Sequence, residues 1–293
     1  MRYRPFGISG VAASAIGLLL QARPGADIQR LTLAGLENGI NTFTLVGGSR
    51  EAAEGAGVAW TQVERHLLVL GLRLAGPEGQ PVSAEYLSST IREQLSWSGL
   101  DYIDFLLLEE PAFTALTPDA IRLLGDLRAV GLARLIGVVG ASEAIDACIG
   151  SQLFEVMAAP FDMTSGWAMR RRVKSAVEAD MALICCDATP AALCTPPRPQ
   201  KPKLNLLGRP PVHALSGAGT YAFLHRTPGW SAEELCIGYV LTEPAFATIQ
   251  IDTTDVGLIE RYAAITDRDL PTGVAAQIEM ARFGAKDTVA RSA

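Results

Sequence analysis

The stretch DYIDFLLLEEP, residues 101–111, decides the reading of the fold. Ile103 to Leu108 is an almost unbroken apolar run without period-two alternation, the pattern of a strand buried on both faces of a parallel sheet. It is punctuated by Gly99 ahead of it and Pro111 behind it. A helix follows with clear signals: Thr117 as N-cap, Pro118 as the first helical residue and Gly131 past the end. The next apolar run, ARLIGVV (133–139), then reads as a second strand. The unit is strand, helix, strand, and its first strand ends on two glutamates whose role is open.

The same unit recurs in both directions. Upstream lie the strands AIGLLL (15–20), INTFTL (40–45) and HLLVLGLRL (66–74). Their helices cover 27–38, opened by Asp27 and closed by Gly39, roughly 50–60, and 84–98, which starts after Ser83, repeats Leu87, Ile91 and Leu95, and stops at Gly99. Downstream, a short helix after Ser142 leads to FEVMAA (154–159), a helix near 168–179 to MALICC (181–186), and a capping box from Ser231 to Glu234 to FATIQI (246–251) and a last helix near 254–264. Eight buried strands alternating with helices predict the α/β class and a single (β/α)8 TIM barrel. Barrel and N-terminal segment together are expected to span 1–270, with 271–293 as a C-terminal tail packing on or trailing from it. Residues 187–230 depart from the pattern. They hold eight of the seventeen prolines, so a long loop after strand seven is expected to lie over the barrel mouth.

Composition narrows the function. The net charge of −6 argues against a nucleic-acid or anionic-membrane partner, and the cluster Arg170, Arg171, Arg172 and Lys174 reads as a solvated helix face. The five cysteines, Cys148, Cys185, Cys186, Cys194 and Cys236, have no CxxC spacing and read as reduced thiols of a cytoplasmic protein. Residues 1–22 imitate a signal peptide, but Gly and Ser break the apolar run, so export is not expected. No apolar run reaches the roughly 18–20 residues of a membrane-spanning helix.

In a barrel of this kind the site lies at the C-terminal ends of the strands. Those ends carry Leu20, Thr44, Arg73, Glu109 with Glu110, Val139 with Gly140, Ala158 with Ala159, Cys186 with Asp187, and Gln250 with Asp252. Arg73 and Glu109 fall on adjacent strands, within reach of one another. Two readings stand: a structural ion pair over the core, or an acid/base glutamate beside an arginine that holds an anionic group. Glu110 reads as a solvated loop carboxylate. GGSR (47–50) lacks phosphate-loop spacing, and His66, His213 and His225 share no metal-ligand spacing. Tyr221 and His225, in the long loop, are candidates to fold over the mouth. No strand end carries a Schiff-base lysine.

Several segments together resemble the aldo-keto reductase family: MRYRPFGISGVAASAIGLLL its N-terminal hairpin and first strand, ENGINTF its second, GLDYIDFLLLEEP its fourth, LRAVGLARLIGVVGAS its fifth, and AEELCIGYVLTEPAFATIQI the entry to its eighth. The resemblance implies carbonyl reduction with NADPH through an aspartate, a tyrosine, a lysine and a histidine. Here Thr44 stands for the aspartate, VGGSREAAEG (46–55) holds no tyrosine, Arg73 stands for the lysine and Glu109 for the histidine. The family's cofactor contacts correspond to Val139, Gly140, Ala158, Cys186, Thr253 and Asp252, none of them the expected type. Glutamate in the histidine position resembles the family's steroid double-bond reductases, which keep the other three residues.

The expectation from sequence is therefore a degenerate aldo-keto reductase-like protein. It has lost NADP(H)-dependent carbonyl reduction, holds no cofactor and acts as a non-redox binding or regulatory module, with a small-molecule or protein partner left open; the family's potassium-channel β subunits, which resemble this fold and serve as partners, are the precedent. Two alternatives stay open. One is a cofactor-independent lyase or isomerase using Glu109 and Arg73. The other is a divergent NADP(H)-dependent oxidoreductase with Tyr221 as replacement proton donor.

Overall fold

The computed structural model describes residues 1–196 and 220–290, with 283–290 in backbone only. The chain opens with an antiparallel hairpin, β1 (Tyr3–Pro5) and β2 (Ala12–Ser14), followed by β3 (Ile16–Leu20), α1 (Gly25–Glu37), β4 (Thr42–Val46), α2 (Arg50–Trp60), β5 (Val69–Leu74) and α3 (Ala84–Ser98). Then come β6 (Ile103–Glu109), the short α4 (Glu110–Thr114), α5 (Pro118–Ala129), β7 (Ala133–Val139), α6 (Ala144–Ile149), β8 (Val156–Pro160) and α7 (Trp167–Glu178). The last elements are β9 (Ala182–Cys186), α8 (Ala191–Cys194), α9 (Ala232–Leu241), β10 (Phe246–Ile251), α10 (Val256–Ile265) and α11 (Val274–Ala290). Strands β3 to β10 close into a parallel barrel in chain order, with β10 returning to β3. This is the (β/α)8 TIM barrel with its N-terminal hairpin.

The local signals act as the sequence dictates. Ser83, Thr117 and Ser231 each accept a hydrogen bond from the backbone N–H three residues on, and Ser231 with Glu234 completes the capping box. One boundary differs. Helix α1 starts at Gly25 behind Pro24, ahead of Asp27. Pro24 holds φ near −52° by its ring, and Asp27 lies in the first turn, where its charge meets the positive end of the helix dipole.

Strand periodicity sorts the side chains into two shells. Leu106 and Leu108 of β6 point outward and join the large core shared with the helices, while Phe105 and Leu107 point into the barrel with Val69, Val156, Ala182 and Ile184. Burying each such side chain is worth about 1.5–3 kcal/mol, which is why the strands need no alternation. The hairpin plugs the lower end. Phe6 stacks at 5.2 Å on Phe105, and Arg4 donates to the carbonyls of Leu241, Glu243 and Phe246 where β10 begins. His66, in a 3-10 turn ahead of β5, is exposed beside Glu64 at this lower end. Helix α11 buries Val274, Ile278 and Ala281 against Leu235, Cys236 and Leu224.

The segment after β9 carries local structure in its described residues. It forms α8, and after residues 197–219, which lie outside the described residues together with His213, a 3-10 turn at Tyr221–His225. Both pack on α9, and the turn also meets α11; among the described residues of this segment, those that line the mouth are Asp187, Ala188 and Thr189.

Candidate functional site at the barrel mouth

Inward positions at the strand tops form the floor of a cavity of about 560 Å3, a size suited to a small-molecule ligand. Val69, Gly71 and Arg73 share the inward face of β5, and Phe105, Leu107 and Glu109 that of β6. Arg73 therefore reaches Glu109 across the strand gap, its Nε donating to Oε1 at 2.8 Å. Both side chains are about a quarter exposed, at 22% and 27%. The pair is neither a surface bridge nor a sealed core pair, and the guanidinium keeps further N–H donors for a ligand.

Thr44 has a different environment. It is fully buried, and its hydroxyl accepts from Gln250 Nε2 at 2.5 Å. Gln250 Oε1 in turn accepts from the Cys186 thiol at 3.6 Å. Burial pushes Cys186 up to about 12, partly opposed by the Arg73 charge, so its sulfur is a neutral donor and not a nucleophile. The chain Cys186, Gln250, Thr44 ties three strands together beneath the cavity. Thr44 does not line the cavity.

Glu110 is solvated, as the sequence suggests, but it belongs to a short helix and not to a loop. As the first residue of α4 it turns back over the 140–142 turn, where Oε2 accepts from the N–H groups of Ala141 and Ser142, both at 3.4 Å. Hydrogen bonding from the Ser142 side chain, with these two backbone groups adding to it, holds its carboxyl below the usual range. The approach requires Gly140, because a Cβ there would lie 2.6 Å from Oε2. Asp187, the first residue past β9, takes φ +51°, a left-handed conformation that aspartate tolerates better than most residues.

Tyr221 and His225 lie elsewhere. The Tyr221 hydroxyl donates to the Met163 carbonyl at 3.4 Å inside the apolar cluster of α9 and α11, and His225 Nε2 lies 2.9 Å from the Leu193 carbonyl. Neither lines the mouth cavity.

The far side of the cavity is formed by Gln21, Asp252, Thr253, Leu258 and Tyr262. Asp252 accepts from Gln21 and from Arg23. Tyr262, on α10, is the phenol of the lining, and burial raises it to about 12. Sequence reasoning missed Gln21 and Tyr262. Gln21 is one residue beyond its strand, and Tyr262 is on a helix, so a survey of strand ends finds neither.

The lining as a whole carries Glu109, Glu110, Asp187 and Asp252 against Arg73, and it opens at the C-terminal ends of parallel strands. It is the mouth of a TIM barrel, the end at which sites of this architecture lie. Comparison with solved structures makes this more specific. The chain matches the holo form of an aldo-keto reductase from Bacillus halodurans with a TM-score of 0.75 at 15% identity, and its apo form at 0.72 and 16%, over 95% of both chains. It matches an aldo-keto reductase from Klebsiella pneumoniae, in complex with NADPH, at 0.70 and 16%, again over 95% of both chains. Comparison with protein-family models and with curated proteins gives no match. The chain has the fold of the aldo-keto reductases.

These structures correct one expectation, that no cofactor is held. Structures with this fold over nearly the whole chain include a holo form and an NADPH complex, so the fold gives no ground for expecting an absent cofactor. The physical reason for the error is that replaced side chains were read as a lost site. The cavity itself is made by the strand ends and turns, which replacement of those side chains leaves in place.

Proposed function

We propose that the mouth holds a nicotinamide dinucleotide, NADP(H) in the first instance, and that the barrel is a binding module that does not reduce carbonyls through the family's proton relay. The observation that carries this reading is the Arg73–Glu109 ion pair at the floor of an open cavity. A bound dinucleotide would supply or accept a hydride. Reduction of a carbonyl also needs a proton donor at the developing alkoxide. Glu109 is engaged by the Arg73 guanidinium, the Thr44 hydroxyl is buried away from the cavity, and Tyr221 is in another cluster. Tyr262 is on α10, after β10, and β5 with Arg73 is three strands away around the barrel.

The fit to a dinucleotide is one of shape and hydrogen bonding more than of charge. The turn at Gly140–Ala141 and the hydroxyls of Thr189 and Thr253 offer polar contacts along the cavity, and Leu258 and Tyr262 offer apolar surface for a base. Residues that neutralise phosphate are sparse, since Arg23 is engaged by Asp252. The test is titration of the purified chain with NADPH and NADP+, read by nucleotide fluorescence and thermal shift up to about millimolar concentration, where weak binding still registers. Saturable binding without NADPH consumption across a panel of aldehydes, ketones and diketones is the expected result. Absence of binding removes the nucleotide, and saturable turnover removes the non-reducing role.

Asp252 provides a second prediction. If a 2′-phosphate approaches the β10 end of the cavity, its charge meets this carboxylate, while Arg23 is unavailable to it. Asp252→Ala removes the repulsion and releases Arg23, and is expected to tighten NADPH binding about tenfold, or ~1.4 kcal/mol, with a smaller change for NADH. Equal shifts for the two nucleotides would show that the phosphate lies elsewhere.

A further inference from the structure

We infer that Cys194 and Cys236 form a redox-modification site, a thiol pair that peroxide converts to a reversible intramolecular disulfide. The two sulfurs lie 3.9 Å apart, although 42 residues separate them in sequence. Cys194 is the last residue of α8 and half-buried, while Cys236 is fully buried on α9. One thiol is thus within reach of a small oxidant and the other waits directly behind it.

The surroundings favour this pair over the other three cysteines. Leu193, Tyr221, Leu224 and Leu235 enclose it in an apolar cluster. Cys185 and Cys186 are neighbours on β9, but strand alternation sends their side chains to opposite faces, where Cys185 donates to the Phe161 carbonyl at 3.1 Å and Cys186 to Gln250. Cys148 sits on α6, and burial raises its thiol to about 11. Cys194 moves the other way, because its hydrogen bond with the Cys236 thiol lowers it and favours the reactive thiolate.

The chemistry closes without a cofactor. The Cys194 thiolate attacks one oxygen of hydrogen peroxide; the O–O bond breaks and the departing hydroxide takes up a proton to leave as water. The Cys236 sulfur, giving up its proton, then attacks the sulfenic sulfur; the S–S bond forms, and the second oxygen leaves as water. Two thiols lose two electrons, and one peroxide gains them. Dithiothreitol reverses the product by exchange. The bond joins α8 to α9, and α8 begins just after Thr189 at the mouth, so oxidation anchors the segment leaving the cavity.

The experiment treats the folded chain with hydrogen peroxide at neutral pH, blocks remaining thiols by alkylation, and maps peptides by mass spectrometry. The expected result is a linked pair of peptides containing Cys194 and Cys236, three of the five cysteines alkylated, and a raised thermal midpoint that dithiothreitol returns to the untreated value. In Cys236→Ala the oxidation should stop at a Cys194 sulfenic acid that a dimedone probe traps. Linkage of any other pair, joining of two chains, or Cys194 recovered unmodified while other cysteines react would overturn the inference. Mapping of the unaltered chain decides the question even if the variant fails to fold.

Discussion

Asp104→Ala is expected to destabilise the barrel by about 3 kcal/mol, at the lower end of what breaking a buried charge network costs. Asp104 lies on β6, the strand that carries Glu109, and its side chain is only 6% exposed. It accepts from Arg65 Nη2 and from the Leu70 backbone N–H, each at 2.8 Å, and from Arg134 Nη1 at 3.2 Å. The Tyr102 ring is held between the same two guanidiniums, at 3.9 and 4.1 Å. Alanine would leave the Leu70 N–H buried without its acceptor and both cations without their counter-charge. Arg134 is half-exposed and regains water easily, so the loss falls mainly on Leu70 and Arg65. Asp104→Asn keeps one acceptor for the N–H and should lose about half as much. Urea unfolding of the three proteins measures this. If Ala and Asn lose the same amount, the charge and not the N–H acceptor carries the effect.

Gly71→Ala should cost a similar amount, about 3 kcal/mol, the upper part of the usual range for overpacking a core. Gly71 faces into the barrel two residues below Arg73, and a Cβ there would lie 2.0 Å from the edge of the Phe105 ring. That ring is fully buried and already packed on Phe6, so it cannot swing aside. The partner substitution separates packing from backbone effects. Phe105→Leu vacates the space, and Gly71→Ala in that background should cost much less than in the parent. Additive losses in a double-mutant cycle would mean that the glycine is needed for its backbone instead. Because the Phe105 layer underlies Arg73 and Glu109, Gly71→Ala should also weaken whatever the mouth binds.

The barrel was legible in the sequence because its strands are buried on both faces and its helices are punctuated. FLLL in β6 and LIGVV in β7 needed no tertiary information to read as core strands, and Thr117, Pro118 and Gly131 bound their helix by local backbone chemistry. The Arg73–Glu109 contact was also legible, since two inward positions on adjacent parallel strands must come close.

The rest depends on contacts between residues distant in the chain. Nothing local in the sequence places Tyr262 or Gln21 at the cavity, turns Glu110 onto the 140–142 turn, or draws Thr44 beneath Gln250. Tyr221 and His225 read as mouth residues because they follow a strand end. The Tyr221 ring is instead buried in one cluster with the apolar residues Leu224, Leu235 and Ile278. By itself the sequence determined the strands, the helices and the order that closes them, because hydrophobic period and capping act over a few residues. Only the tertiary structure decided which side chains share the mouth and that Cys194 meets Cys236, because those choices rest on packing between segments up to hundreds of residues apart.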